Sequence, residues 1–121
     1  MQAFQIAPGP IYQPEKLVRD PLYRRWIKQF PCLGCGATWG IDPCHTGPHG
    51  LNQKACDSRC IPLCRKCHDA FDANPELFAQ RHGWNLTLII NLFNQVWKWK
   101  QQGGNDGYRY MRQLRQFFPR R

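Results

Sequence analysis

Acidic residues are scarce in this chain: 8 Asp and Glu stand against 17 Lys and Arg in 121 residues, a formal net charge of +9. With a sequence pI of about 9.5, the simplest implication is a polyanionic partner. Long apolar runs are missing too. The longest, Leu88-Ile89-Ile90, is far too short to cross a bilayer, so no membrane-spanning helix is expected. The start, Met1-Gln2-Ala3-Phe4-Gln5, has neither a basic n-region nor an apolar h-region, and no secretory leader is read there. Repeats and low-complexity stretches are also absent. What remains is a single domain over 1–121, in which a core of hydrophobic side chains alone would be modest.

Cysteine, by contrast, is plentiful. Seven cysteines without a leader fit thiols kept reduced in a cytoplasmic setting better than disulfides. Four of them form the Cys-x-x-Cys pairs Cys32/Cys35 and Cys64/Cys67, and the second pair runs directly into His68. Such a turn lets two sulfurs converge on one ion, and two turns supply the tetrahedral thiolate set that structural Zn2+ favours. The 28 residues between Cys35 and Cys64 exceed the usual zinc-ribbon spacing, so they must hold a structured excursion of their own. Cys56 and Cys60, within it, read as small buried residues. A thiol redox protein is disfavoured, because neither pair follows a strand in a βαβ pattern.

Local signals organise the rest. Residues 1–19, with Pro8, Gly9, Pro10 and Pro14, read as an extended N-terminal arm. Asp20-Pro21 is a cap-then-proline helix start, with Leu22, Trp26 and Ile27 on one face before Pro31. Strands are expected at 38–44 and 59–63, joined by a glycine- and proline-containing loop over 46–54 and followed by a helix over 65–73. Asn74-Pro75 opens another helix that Gly83 ends, completing a core region of 32–82. Over 85–102, Leu86, Ile89, Ile90, Phe93, Val96 and Trp97 recur at helical spacing. A last amphipathic helix, with Tyr108, Met111, Leu114 or Arg115, and Phe118 on one side, completes the C-terminal helices of 85–121.

Three stretches occur in a telling order: Cys32-x-x-Cys35, then Asp42-Pro43-Cys44-His45-Thr46-Gly47-Pro48, then Ile61-Pro62-Leu63-Cys64-Arg65-Lys66-Cys67-His68. Together they resemble the zinc-stapled HNH endonucleases, in particular a phage and prophage branch with a His-Thr-Gly-Pro loop followed by Ile-Pro-Leu-Cys. The resemblance covers about one third of the chain. It implies an α+β fold of the small ββα-metal class, with a four-cysteine zinc knuckle and flanking helices. In that fold a hairpin and the helix after it hold one catalytic divalent cation against a scissile phosphate. The implied activity is hydrolysis of DNA phosphodiester bonds in a bacterial or prophage setting.

Phosphodiester hydrolysis needs an activated water, a cation to neutralise developing charge, and stabilisation of the leaving oxygen. His45, at the end of a predicted strand, suits the first role, since an imidazole titrates near neutrality. His68, on the helix anchored by Cys64 and Cys67 and pointing back across the hairpin toward His45, suits cation binding. The family pattern adds Asp72, one helical turn beyond His68, with Asp69 as its rival. Where the family often has His or Asp before the base, this chain has Cys44, with Asp42 on the same strand face. A thiolate suits softer ions better than Mg2+, so Mn2+, Ni2+ and Zn2+ stand beside Mg2+ as candidate catalytic cations. The family's middle Asn is missing before the second cysteine pair. Asn52 is the candidate catalytic replacement, and Asp57 is the other polar group within reach.

DNA is the expected partner. His49, Lys54 and Arg59 lie in or beside the hairpin loop, Trp99 sits between Lys98 and Lys100 and should face outward, and Arg112 and Arg115 belong to a basic C-terminal segment. Interleaved cations and aromatics of this kind suit phosphate and base contact. Little sequence specificity is expected, as no helix presents a clear base-reading face. The competing class is a non-catalytic zinc module that binds nucleic acid or a protein, favoured by Cys44 and by the missing Asn.

Overall fold

The computed structural model describes residues 19–46, 56–103 and 107–119; most of the expected N-terminal arm, and the loop carrying His49, Asn52 and Lys54, lie outside them. Among the described residues the chain is mixed α+β, with five helices and one two-stranded antiparallel sheet. In order these are α1 (Pro21–Ile27), β1 (Ile41–His45), β2 (Cys60–Cys64), α2 (Arg65–Ala73), α3 (Pro75–His82), α4 (Leu86–Gln102) and α5 (Gly107–Arg115). A 3-10 turn at Asp57–Arg59 leads into β2. None of the described helices is long and apolar enough to cross a membrane.

Side-chain caps set the helix starts. The Tyr23, Leu77 and Leu88 amides donate to the side chains of Asp20, Asn74 and Asn85, each at 3.1 Å. Each cap stabilises its helix by about 1 kcal/mol. Gly83 and Gly103 end α3 and α4 in the left-handed region, at φ 68° and 72°, where a side chain would be strained. α1 differs from expectation. It stops at Ile27, and it buries Tyr23, Trp26 and Ile27 while leaving Leu22 exposed. Positions 23, 26 and 27 form an i, i+3, i+4 set, and Leu22 falls off that stripe.

The stripe on α1 meets α4 in an aromatic block. Tyr23 lies 5.5 Å from both Trp26 and Trp97, and Phe30 lies 5.2 Å from Phe93 and 5.9 Å from Phe118. Such pairs add roughly 0.5–1.5 kcal/mol each beyond their buried area. Leu114 is the buried residue of α5, whereas Arg115 is exposed. Trp99, expected to face outward, is half-buried: a Cβ on Gly107 would come within 2.9 Å of it, so the start of α5 closes against this side chain.

β1 and β2 pair with Ile41 opposite Cys64, Pro43 opposite Pro62 and His45 opposite Cys60. Two facing prolines have no N–H to exchange, so this pair occupies a non-hydrogen-bonded step of the ladder. β2 passes directly into α2 between Cys64 and Arg65. Two strands and a helix are thus consecutive in space and, apart from the loop between the strands, in sequence.

Candidate functional site

Alternation along β1 decides what each of its side chains can reach. Asp42 and Cys44 turn toward α2, and Pro43 and His45 toward α1. On the α2 side, His68 Nδ1 lies 3.1 Å from Asp42 Oδ2, and Nε2 lies 3.4 Å from Asp72 Oδ2. Cys44, His68 and Asp72 offer ligand atoms that all lie within 4.8 Å of one another. Asp42 is outside that trio; its carboxylate also takes Arg65 Nη1 at 3.0 Å. Asp69 pairs with Arg65 at 2.9 Å and plays no part in the trio. An ionised Asp42 can only accept, so His68 Nδ1 donates to it, while Nε2 faces the Asp72 carboxylate. Burial, followed by the charges of Asp72 and Asp42, pushes the Cys44 thiol up to about 12.

On the α1 side, His45 Nε2 lies 2.8 Å from Asp57 Oδ1. Asp57 is only 1 % exposed, and its other oxygen accepts from the Asp20 amide at 2.7 Å and Arg24 Nε at 3.1 Å. Arg19 Nη1 approaches Oδ1 at 3.6 Å. Burial alone would raise this carboxyl, but the hydrogen bonds from His45 and the Asp20 amide, with the Arg24 charge, hold it below the ordinary value. An ionised Asp57 fixes the His45 tautomer: Nε2 donates, and Nδ1 carries the lone pair.

The supports extend further. Asn94 Nδ2 on α4 donates to the Ser58 carbonyl at 2.9 Å, pinning the turn that carries Asp57. Thr46 donates to the Arg59 carbonyl through its amide at 3.3 Å and its hydroxyl at 2.7 Å, closing the hairpin just beyond His45. The Cys60 thiol also lies within 4.8 Å of the His45 and Asp57 ligand atoms. It is buried, and burial with the Asp57 charge raises its pKa. Asp57 is already committed to His45, Arg24 and a backbone amide, so this group is an imidazole anchored on a buried carboxylate.

His68 was expected to point across the hairpin toward His45. Instead the two rings engage different carboxylates on opposite sides of β1. Asp20, Arg19 and Arg24 were missed by sequence reading. The only signal was Asp57 itself, an acid in a stretch of cysteines and apolar residues.

The four paired thiols converge. Cys32, Cys35, Cys64 and Cys67 place their sulfurs within 4.8 Å of one another, and Cys35 and Cys64 are 3.8 Å apart. Four tetrahedral Zn–S bonds of about 2.3 Å require a sulfur separation of roughly 3.8 Å, so the cluster could hold a structural metal. The amides of Gly34 and Cys35 point at Cys32 Sγ from 3.3 and 3.4 Å, where they offset thiolate charge. Gly36, at φ 82°, turns the chain and donates to the Cys32 carbonyl at 2.8 Å. The Leu33 amide binds the Pro62 carbonyl at 2.8 Å, and His82 Nε2 lies 3.2 Å from the Gly34 carbonyl. β2 and α3 therefore hold the knuckle from two directions.

Of the expected DNA contacts, Arg59 is half-buried beside β2, while Arg112 and Arg115 are exposed on α5, with Arg112 5.9 Å above the Tyr108 ring. His49, Asn52 and Lys54 lie outside the described residues.

These features define a small mixed α+β protein with a four-thiol cluster at the base of a hairpin and two polar clusters flanking its first strand. The chain belongs to the family described as "Protein of unknown function (DUF968)", which matches residues 13–99. It is similar to the uncharacterized protein YdfU of Escherichia coli (strain K12), 36% identical over 77 residues that make up 61% of this chain and 22% of that protein. No solved structure matches.

Proposed function

We propose that this protein is a metal-dependent endonuclease of the HNH, ββα-metal kind that hydrolyses DNA phosphodiester bonds. One observation carries the reading: adjacent residues of β1 serve two different clusters, Cys44 with His68 and Asp72, and His45 with buried Asp57. A phosphate at the end of such a strand could meet the cation from one side and the general base from the other. His45 Nδ1 takes the proton from the attacking water, while Asp57 holds the ring and stabilises the imidazolium that forms. Asp57, rather than Asn52, then fills the role of the missing middle Asn. His68, Cys44 and Asp72 hold the divalent cation, whose chemistry is to neutralise charge building up on the phosphate. Asp42 stands behind His68 as an orienting carboxylate rather than as a ligand.

The sulfur, nitrogen and oxygen donor set favours borderline ions such as Zn2+ or Ni2+ over Mg2+. Cys32, Cys35, Cys64 and Cys67 hold a separate structural Zn2+. A non-catalytic, nucleic-acid-binding zinc module is the second reading. It is favoured by the Cys44 thiol, which at about 12 yields its proton only if a cation displaces it. Nicking of supercoiled plasmid across Mg2+, Mn2+, Ni2+ and Zn2+, with His45→Ala as control, separates the two. Cutting by wild type alone supports the nuclease, and no cutting with any ion favours the binding module.

A further inference from the structure

The residues expected to contact DNA lie in the hairpin loop and toward the C-terminus, and a different basic surface lies against β1. A cleft of about 410 Å³ is lined by Pro21, Arg24, Arg25 and Lys28 of the α1 region and by Pro43 of β1. Three of its five lining residues are cationic. Arg25 and Lys28 are exposed, and among the described residues neither has an acidic partner. Arg24 spends one face of its guanidinium on Asp57 and still has a side chain 42% exposed.

The cleft's position is specific. Pro43 and His45 share one side of β1, and two residues of strand span about 7 Å. A nucleic-acid strand carries a charge roughly every 3.4 Å along the duplex axis, so a strand lying over His45 brings its next phosphates to Pro43 and α1. The short α1 is fixed there by Tyr23 and Trp26 in the core and by the Arg24 and Asp20 bonds to Asp57. Base positioning and the phosphate track thus share one helix.

We infer that the cleft between α1 and Pro43 binds the nucleic-acid backbone next to the reacting phosphate, with Arg25 and Lys28 as its main contacts and Arg24 linking it to Asp57. The inference rests on the nuclease reading for its orientation but is testable apart from it. A fluorescent duplex is titrated with the His45→Ala protein across a salt series, with and without the added pair Arg25→Gln and Lys28→Gln. Both added changes are on exposed side chains, and circular dichroism and zinc content verify folding.

Loss of two phosphate contacts should flatten the slope of log K against log salt by about 1.8. The charge-keeping pair Arg25→Lys and Lys28→Arg should retain the wild-type slope. An unchanged slope in the Gln pair, or no measurable duplex binding by the parent, overturns the inference. If wild type nicks plasmid but the slope does not move, the nuclease reading survives and the cleft does not. If no ion supports nicking but the slope falls, the cleft stands as a backbone site on a binding module.

Discussion

An imidazole is a useful base only when one nitrogen is free and the ring is held still. At His45 both conditions trace to Asp57, which binds Nε2 and leaves Nδ1 with the lone pair. His45→Ala is therefore expected to lower plasmid cleavage by at least ~10²-fold, while zinc content and duplex affinity stay near wild type. His68→Ala should inactivate differently, by weakening cation binding, so raising Mn2+ or Ni2+ restores part of its activity but none in His45→Ala. Equal rescue of the two variants would contradict the separate roles.

Asp57 also has a signature in stability. Its folded pKa lies below the unfolded value, so its contribution is fully present above the ordinary carboxylate range, near 3.9, and is lost as pH falls through the folded value. Wild type should thus outlast Asp57→Asn in thermal melts at pH 6, and the gap should narrow at pH 3. Acid release of zinc affects both proteins, so the difference between them isolates the carboxylate. A gap that is constant with pH would mean that Asp57 acts through shape alone.

At the scale of elements, the knuckle is where local sequence and tertiary packing meet. Gly34 has no room for a side chain: an added Cβ would sit 3.0 Å from Cys67 Sγ and 3.1 Å from Phe78 Cζ. Gly34→Ala should cost about 1–3 kcal/mol through overpacking, and a chelating dye should strip its zinc faster than from wild type. Wild type should carry one tightly held zinc, and its removal should lower the melting temperature, since β2, α2 and α3 all meet the cluster. A metal-free protein that melts cooperatively at the same temperature would refute this.

Much at this scale was legible in the sequence. The cap-then-proline starts at Asp20 and Asn74 and the stop at Gly83 are short-range signals; α1 and α3 begin at the first two, and α3 ends at the last. The strands at 41–45 and 60–64 fall within a residue or two of expectation at the ends that carry His45 and Cys64, though β1 starts three residues late. What stayed hidden was long-range. No local pattern says that Asp57 meets an amide 37 residues away, or that Arg24 joins it. The facing of Trp99 was misread for the same reason, because only the approach of α5 at Gly107 decides it.

Across the whole molecule, the +9 charge is divided between surfaces with different relations to the fold. α1 sits beside β1, whereas α5 packs chiefly against α4 and carries Arg109, Arg112 and Arg115 on its exposed side. Removing residues 109–121 would not test the charge of α5, because it also takes Leu114 and Phe118 out of the core. Replacing Arg109, Arg112 and Arg115 by Gln leaves that packing intact. If all three meet phosphates, the salt slope of duplex binding should flatten by about 2.7, from a wild-type value that stays steep because the α1 cations remain. A slope unchanged by the triple substitution would mean that the arginines of α5 are solvated, and that the electrostatic contact with DNA is confined to the hairpin side of the protein.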